Sequence, residues 1–418
     1  MESISIYPPT LDGKNIEQKR QEILKYFNNT YELFEKIFEL LENDKVFYKK
    51  SEPTRHPMIF YFGHTATFFI NKLILMKIID KRVDANFESI FSFFFDEMEG
   101  DDVNSKNYSW PKVEEVRRYR NIVKKIVQDL ICKLEFELPI KQNSAMWIIL
   151  MGIEHERIHI ETSLVLHRQM PLQFIKNIKE LNICTHSSKS PKNDMVKISS
   201  QAVKLGKNIN HNLYGWDNEY GVYKESVNEF KVSKYLVSNA EFMEFVENNG
   251  YEREEFWDED GLKYLKNTNA KHPVFWILKD GVYKYRAISQ IIDMPLDWPV
   301  DVNALEAQAF CKYKSKIDGV TYMLPSEAEY RAIYEQTNIE DLPDFDQNRA
   351  NLNFYHYASS SPVNEFAFHT KNGEVIYDVV GNVWQWSRTF IHPFDGFKVH
   401  EAYDDFSVPT FDEKHLII

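Results

Sequence analysis

Four long stretches in the first half of the chain carry apolar side chains at the three- and four-residue spacing of a helix face. In the first, at about 16–41, this spacing runs from Ile23 through Phe27 and Phe34 to Leu41, with Glu, Lys and Asn between them. The others run from just after Pro57 to about 79, from just after Pro111, and from about 141 to 168. The third places these residues at helical intervals: Val113, Val116, Tyr119, Ile122, Val123 and Ile126. Four such helices with modest connections predict an antiparallel bundle.

The pattern changes near residue 181. Residues 184–193 are polar and contain three serines and Pro191, so we interpret 184–195 as a linker. Beyond it the sequence breaks into short β-prone pieces and short helices. The strands are expected at 196–199, 222–227 and 230–235, and the helices near 239–248 and 303–316. The sequence therefore predicts a helical domain at 1–183 and an irregular α+β domain at 196–418.

Charge and composition limit the function classes. Lys and Arg number 50 against 63 Asp and Glu, a net charge of −13, which argues against a nucleic-acid partner. The first residues do not resemble a secretory signal, and the apolar stretch 58–75 is interrupted by His64, Asn71 and Lys72. Three scattered cysteines suit neither a disulfide framework nor a Cys-rich zinc site. We expect a soluble, cytoplasmic protein that has no membrane partner.

Three histidines on two of the predicted helices are candidate metal ligands. His155 and His159 are four residues apart, so their imidazoles lie on one helix face about one turn from each other. His64 lies on an apolar face of the second helix, and metal sites in bundles are assembled from inward side chains on facing helices. The alternative is that these are ordinary histidines satisfied by hydrogen bonds. Together, the pair and His64 favour a three-histidine metal site.

The string His-Glu-Arg-Ile-His at 155–159 also matches the short zinc-protease pattern, in which Glu156 would be the general base. That interpretation needs a third ligand downstream. No glycine turn with a further histidine follows, and Glu161 lies only two residues beyond His159, on a different face. Glu180 stays open as the third ligand, so a zinc hydrolase is an alternative hypothesis.

The spacing of residues along the helices assigns no role to three arginines of the third helix or to Glu161. Arg117, Arg118 and Arg120 of the third helix are expected to form an ordinary solvated face. Glu161 is either a hydrogen-bond partner of a ligand imidazole or a plain surface carboxylate.

Two segments of the first half, 56–65 (HPMIFYFGHT) and 152–163 (GIEHERIHIETS), resemble the DinB-like iron domain of the sulfoxide synthases of thiol-histidine biosynthesis. They look most like the ovothiol branch, the 5-histidylcysteine sulfoxide synthases, whose sister branch belongs to the ergothioneine pathway. In the second half, four blocks resemble the formylglycine-generating-enzyme-like domain that these synthases share: 213–219, 237–239, 323–330 and 381–387. The resemblance implies a DinB-like four-helix bundle followed by a formylglycine-generating-enzyme-like, C-type-lectin-like α+β domain.

The resemblance implies one Fe(II) ion held by His64, His155 and His159, with positions left for substrates and O₂. The implied reaction joins the sulfur of L-cysteine to the imidazole of L-histidine and oxidises that sulfur, giving 5-L-cysteinyl-L-histidine sulfoxide, the first step of ovothiol biosynthesis. The two substrates supply all four electrons, and no Gly-x-Gly-x-x-Gly motif is present. The alternative is an ergothioneine-type synthase acting on trimethylhistidine. Gln385 and the pair Phe60-Tyr61 favour free histidine.

The resemblance also implies an active-site tyrosine from the second domain, and Tyr403 is the matching candidate. Its alternative is a packing tyrosine on a loop against Trp384 and Trp386. Trp386 is a candidate pocket wall or a core residue. Arg388 and Asp404 are candidates to bind the carboxylate and the ammonium of an amino-acid substrate, because such substrates carry both charges.

The chain departs from the family pattern after His415. Typical ovothiol-branch synthases continue into a Gly-Gly-Ser-Trp segment and arginine-containing strands, and often into a methyltransferase domain, whereas this sequence stops at Ile418. Missing strands would expose apolar surface and leave ladder groups unpaired. We therefore expect a second domain that is incomplete at its C-terminus. The chain is then a fragment, half of a split enzyme that a separate polypeptide completes, or a truncated, non-catalytic homologue. No methyltransferase activity is expected.

Overall fold

The computed structural model of the 418-residue chain describes residues 4–92, 109–340, 342, 344–403 and 407–418. The chain divides into two units. Unit 1 comprises Met1–Glu180, Asn210–Trp216 and Ile288–Gln290, and unit 2 comprises Leu181–Ile209, Asp217–Ala287 and Ile291–Ile418. The first break therefore falls where the composition changes, but composition does not indicate that two later segments join unit 1.

In the part of unit 1 that the structure describes, four long helices and one short one form the framework. They are α1 (Ile16–Phe38), α2 (Met58–Leu75), the short α3 (Ala85–Ile90), α4 (Val113–Lys133) and α5 (Ala145–Gln169). Asn15 and Ser144 begin α1 and α5 because their side chains accept hydrogen bonds from otherwise unpaired backbone N–H groups. Helices α1 and α2 each pack against both α4 and α5. The predicted helical bundle is confirmed, although α2 ends at Leu75 and not near residue 79.

Helix α2 is the most deeply buried of these helices. Each residue from Met58 to Ile70 is buried. By length and composition α2 could cross a membrane, but 83% of it is buried inside the structure, as in the core helix of a soluble protein. The apolar run thus has a packing explanation within unit 1.

Helix α4 buries four of the six apolar positions that the sequence analysis named, 113, 116, 119 and 123, and adds an arginine to that face. Ile122 is 45% exposed, whereas Arg120 is fully buried. Five of its seven buried positions follow a three- and four-residue spacing with the arginine in the middle: 113, 116, 120, 123 and 127. The expectation that Arg120 lies on a solvated face is therefore wrong.

Unit 2 is an irregular α+β unit of short antiparallel sheets and helices, as predicted. Its strands are β1 (Met195–Ile198), β2 (Gln201–Leu205), β3 (Tyr223–Val227), β4 (Phe230–Ser233), β5 (Trp276–Lys279), β6 (Val282–Arg286), β7 (Ile291–Asp293), β8 (Ala367–His369) and β9 (Val375–Tyr377). They pair as β1–β4, β2–β3, β5–β6–β7 and β8–β9. Val196 lies opposite Val232, and Val203 opposite Glu225.

Four helices of unit 2 complete two separate hydrophobic cores. They are α6 (Asn239–Glu247), α7 (Glu259–Thr268), α8 (Ala304–Asp318) and α9 (Glu327–Gln336). One core gathers large aromatic residues of α6, α8 and β5, including Phe242, Phe310 and Trp276. The other is mainly aliphatic and lies where α9 packs on β2 and β1. Helix α8 begins with a capping box between Asn303 and Glu306.

The segment interpreted as a linker is part of unit 2. Cys184 is 1% exposed and lies in the aromatic core. Ser187 and Ser188 donate hydrogen bonds of 2.7–2.8 Å to the buried carboxylate of Asp297. Both serines are exposed, but these hydrogen bonds hold them against a buried carboxylate of unit 2 and not in a free linker.

Candidate metal centre

The three candidate histidines meet in the interior of unit 1. His64 lies in the middle of α2, and His155 and His159 lie on the inward face of α5. All three are buried, and one ring nitrogen of each lies within 4.8 Å of those of the other two. The ring centroids are 4.5–5.0 Å apart. The structure thus brings together residues that are 91 positions apart in sequence.

Neighbouring groups fix the orientation of two of the rings. The Nδ1 atom of His64 lies 2.7 Å from the carbonyl oxygen of Phe91 and donates to it, which leaves the lone pair of the neutral ring on Nε2. The ring of Phe68 stacks on that of His155 at 3.6 Å with an angle of 6° between the planes. Among the described residues, Nδ1 of His155 is buried and has no hydrogen-bond partner. A buried nitrogen of this kind suits a bound metal ion.

Burial keeps the pair on α5 neutral. It lowers the pKa of His155 well below the usual value of 6.5, and the nearby rings of His159 and His64 lower it further. The pKa of His159 is lowered in the same way, by burial first and by His64 second. Neutral imidazoles expose the lone pairs that a metal requires, so the site favours cation binding near neutral pH.

A fully buried arginine joins the helices that carry the histidines. The guanidinium of Arg120 donates to Glu156 on α5 at 2.9 Å, and on α2 to the hydroxyl of Thr65 at 2.9 Å and the carbonyl of Phe62 at 3.0 Å. Glu35 of α1 accepts a fourth hydrogen bond at 3.2 Å. Because Thr65 and Glu156 are the neighbours of His64 and His155, this network sets the spacing between the two ligand-bearing helices.

The zinc-protease interpretation does not fit this geometry. Oε1 of Glu156 accepts from Arg120 and from Thr65, which is 3.0 Å away, so the carboxylate is part of a buried ion pair. Glu180, the open third ligand, pairs with Lys36 at 3.3 Å and is half-exposed. Glu161 is exposed, which supports a surface position. Glu156 is thus not placed as a general base.

Tyr403 is buried in unit 2, on a loop that contains a hydrogen bond between its own backbone groups. Its N–H donates to the carbonyl of His400 at 2.7 Å. The loop is anchored on Asp217, whose carboxylate accepts from the backbone of His400 at 3.0 Å and from the hydroxyl of Ser407. Asp404, the predicted ammonium ligand, lies outside the described residues. The catalytic role of Tyr403 stays a prediction.

The other candidates near the Gly381–Ser387 motif have protein partners. The indole of Trp386 donates to the carbonyl of Val302 at 2.9 Å, whereas Trp384 is 53% exposed. Arg388 makes a two-pronged ion pair with Glu329 at 2.5 and 3.0 Å. The pairing supports a structural role for Arg388, because a substrate carboxylate would have to replace Glu329.

The motif itself is a turn that requires its glycine. Gly381 has φ +81°, and a Cβ there would lie 2.8 Å from the carbonyl oxygen of Asn351. Asn382 accepts from the backbone of Ser361 at 2.8 Å. Gln385 donates to the carbonyl of Asp378 at 2.7 Å, a packing role that weakens the use of Gln385 as a marker of substrate choice.

Sequence reasoning missed three contributors to the centre. Arg120 follows the buried spacing of α4 and could have been placed by it. Phe68, four residues after His64, lies on the same helix face, which is a signal for ring packing. The carbonyl of Phe91 is a backbone group on a different segment, and no residue pattern indicates it.

The donor set fits a divalent transition metal. Three neutral imidazoles suit Fe(II) and also Zn(II), and a face of three ligands leaves coordination positions for other molecules. The described part of unit 1 offers no thiol or carboxylate in this group of ligands. The geometry therefore indicates a metal ion bound by three imidazole nitrogens, which are neutral ligands.

The chain is similar to proteins with the same two kinds of domain. Residues 26–163 match the DinB superfamily. "Ergothioneine biosynthesis protein 1" of Schizosaccharomyces pombe is 23% identical over 91% of this chain and 49% of its own length. "Hercynine oxygenase" of Mycobacterium tuberculosis is 22% identical over 48% of this chain and 47% of its own length. "Formylglycine-generating enzyme" of Bos taurus is 25% identical over 52% of this chain and 61% of its own length.

The chain spans about half the length of the first two of these relatives. The similarity to the Schizosaccharomyces pombe protein runs through both units, whereas the formylglycine-generating enzymes match about half of the chain. Residues 183–407, more than half of the chain, match the Sulfatase-modifying factor enzyme 1-like domain. A DinB-like helical domain is thus followed by an α+β domain of known type, and the chain belongs to the Sulfatase-modifying factor enzyme 1-like family.

Proposed function

We propose that the chain is the catalytic part of a non-haem Fe(II), O₂-dependent sulfoxide synthase. It would join the sulfur of L-cysteine to the imidazole ring of L-histidine or of its trimethylated derivative. The observation that carries the proposal is the buried cluster of His64, His155 and His159 in a chain that also contains the sulfatase-modifying-factor-like domain. The similarity to "Ergothioneine biosynthesis protein 1" across 91% of the chain supports the same combination.

The histidines would hold the ion without neutralising it. A metal-bound imidazole is a neutral ligand, so the full 2+ charge of the ion would stay available to attract an anionic thiolate into the buried site. When bound, Fe(II) supplies the one-electron chemistry with O₂ that protein side chains lack. The carbonyl of Phe91 holds the ring of His64 in position, and Phe68 covers one face of His155.

The electrons balance within the substrates. Formation of the C–S bond removes two electrons, and oxidation of the sulfur to the sulfoxide removes two more. One O₂ molecule accepts all four, and its atoms end in the sulfoxide and in water. The proposed reaction therefore needs no nicotinamide, flavin or 2-oxoacid as a co-reactant.

Two substrate pairs are supported by different observations. The sequence resemblance in 56–65 and 152–163 favours L-histidine and the product 5-L-cysteinyl-L-histidine sulfoxide. The names of the relatives, "Ergothioneine biosynthesis protein 1" and "Hercynine oxygenase", favour hercynine, the trimethylated histidine. The second pair is a full candidate, because Gln385 has a packing role in the structure.

In unit 2, Tyr403 is proposed as the group that exchanges a proton with the reacting atoms. Trp386 and Asp404 are proposed substrate contacts, whereas Arg388 would first have to leave Glu329. A separate polypeptide that completes the C-terminal region, and a cytoplasmic location, also stay part of the proposal. Because the chain covers about half of its relatives' length, the test should use the full natural polypeptide if it is longer.

The test is a product analysis. The protein is loaded anaerobically with Fe(II), mixed with cysteine and isotope-labelled histidine or hercynine, and exposed to O₂ while oxygen uptake is recorded. We expect a coupled sulfoxide by mass spectrometry, and its loss in His159→Ala but not in His369→Asn, which changes an exposed histidine of unit 2. Oxygen uptake without a coupled product from either acceptor would refute the synthase. Iron binding with no turnover would instead favour a non-catalytic homologue.

A further inference from the structure

A second group of metal-binding side chains lies in unit 2. Cys184 and His186 come from the segment that enters the unit, and Glu365 comes from the loop just before β8. One ligand atom of each, the thiol sulfur, a ring nitrogen and a carboxylate oxygen, lies within 4.8 Å of the other two. We propose that these three side chains bind a divalent transition metal ion with the ligand preference of Zn²⁺, at a site separate from the three histidines.

The Cys-x-His segment is rigidly placed. The backbone N–H of Cys184 donates to the hydroxyl of Ser359 at 2.8 Å, and the carbonyl of His186 accepts from the indole of Trp298 at 2.8 Å. The backbone N–H of His186 also points to the sulfur of Cys184 at 3.4 Å. The sulfur is therefore fixed, with an N–H group that stabilises negative charge on it.

A tyrosine hydroxyl lies among the three ligands. The OH group of Tyr357 is 3.3 Å from Nδ1 of His186 and 3.1 Å from a carboxylate oxygen of Glu365. Burial, and next the charge of Glu365, raise the pKa of Tyr357, so its phenol stays protonated at neutral pH. It can donate a hydrogen bond to a ligand or move aside and leave a fourth position.

The charges of the ligands match a divalent cation. A thiolate and a carboxylate supply two negative charges, and the imidazole is neutral. Without a metal, burial and then Glu365 raise the pKa of Cys184, to about 11, so the thiol is protonated and binding of the ion would release that proton. Thiolate, imidazole and carboxylate together are a common ligand type for zinc.

The geometry needs only a small contraction. Zinc bonds of 2.0–2.3 Å in a tetrahedron put ligand atoms roughly 3.3–3.8 Å apart. The sulfur is fixed, but the side chains of His186 and Glu365 are exposed and can move inward. A bound ion would tie the entry segment of unit 2 to the 357–365 loop, whose Ser361 holds Asn382 of the Gly381–Ser387 motif.

The test is a titration of the full chain with Co²⁺ after metal removal, under reducing and anaerobic conditions. We expect a thiolate-to-cobalt charge-transfer absorption in the near ultraviolet, which three imidazoles cannot give. Cys184→Ser should abolish this band and lower the binding capacity by one ion per chain. Cys311→Ser is the matched control, because Cys311 is also a poorly accessible thiol whose pKa burial raises to about 11.

Two further variants keep the test valid if Cys184→Ser does not fold. His186→Gln and Glu365→Gln change exposed side chains, and each should weaken the cobalt band's apparent affinity by at least about tenfold while circular dichroism stays unchanged. A wild-type chain that shows no thiolate band would overturn the site. A band that survives in Cys184→Ser, or is unaffected by both Gln variants, would do the same.

Discussion

The buried ion pair of Arg120 and Glu156 leads us to predict a large loss of stability when Arg120 is replaced. Both side chains are fully buried, and their 2.9 Å contact joins α4 to α5. Arg120→Met removes the charge and the donors to Phe62 and Thr65, and it leaves the carboxylate of Glu156 buried without its partner. Loss of one partner of a buried ion pair costs about 3–5 kcal/mol. We expect unit 1 to lose that amount of free energy of unfolding.

Two features refine this figure. Glu35 is 30% exposed, so water compensates for its lost hydrogen bond. Burial raises the pKa of Glu156, and Arg120 is the main group that opposes this rise. Without Arg120 the carboxyl group takes up a proton more readily, and this limits the loss. The double variant Arg120→Met/Glu156→Gln removes both charges, so it should recover most of the stability.

The assay is urea unfolding followed by helical circular dichroism, which reports mainly on the long helices of unit 1. Arg118→Met, on the exposed side of the same helix, is the control and should change the free energy by no more than about 0.5 kcal/mol. The reasoning is refuted if Arg120→Met costs no more than this control. It is also refuted if the losses of Arg120→Met and Glu156→Gln simply add in the double variant.

Two other predictions concern the same unit. Gly63→Ala would place a Cβ 2.7 Å from the ring of Phe91, whose carbonyl orients the histidine of α2. Made in the Cys184→Ser chain, it should lower Co²⁺ affinity by about 10–100-fold, and an unchanged affinity contradicts that orienting role. Burial lowers the pKa of His167 to about 4 from 6.5, so only the unfolded chain binds this proton between those values, and stability falls as pH drops through the window. The free energy of unfolding is measured with urea at pH 6.5 and at pH 4, and the two values are compared. His167→Asn, which can still donate to the carbonyl of Ser163, should reduce the fall in this free energy by about 3 kcal/mol, whereas His369→Asn should not.

Local patterns were enough to predict the elements that position the centre. The helix spacing, with Pro57 and Pro111 as boundaries, predicted the long helices of unit 1 to within a few residues at most ends. The alternation of β-prone pieces predicted β1, β3 and β4. These patterns are predictive because each helix or strand buries one face, and that face determines the spacing of apolar residues along the sequence.

Groups that act through a distant partner were not predicted. Arg120 was assigned to a solvated face because arginine is usually exposed. Its burial is favourable because groups on α1, α2 and α5 accept its hydrogen bonds. The serines near Cys184 suggested a linker because their acceptor, Asp297, is more than 100 residues away. The spacing of α4 marks position 120 as buried, but no sequence pattern indicates the partners that such tertiary hydrogen bonds join.

The most direct measurement of the central claim is anaerobic Fe(II) binding by equilibrium dialysis. Cys184→Ser is the reference chain, so that the proposed thiolate site does not contribute. The account predicts one Fe(II) per chain, and at least a tenfold weaker affinity when His159→Ala is added, with helical circular dichroism unchanged. An affinity that is the same with and without His159, or no Fe(II) binding by the reference chain, would contradict the three-histidine centre.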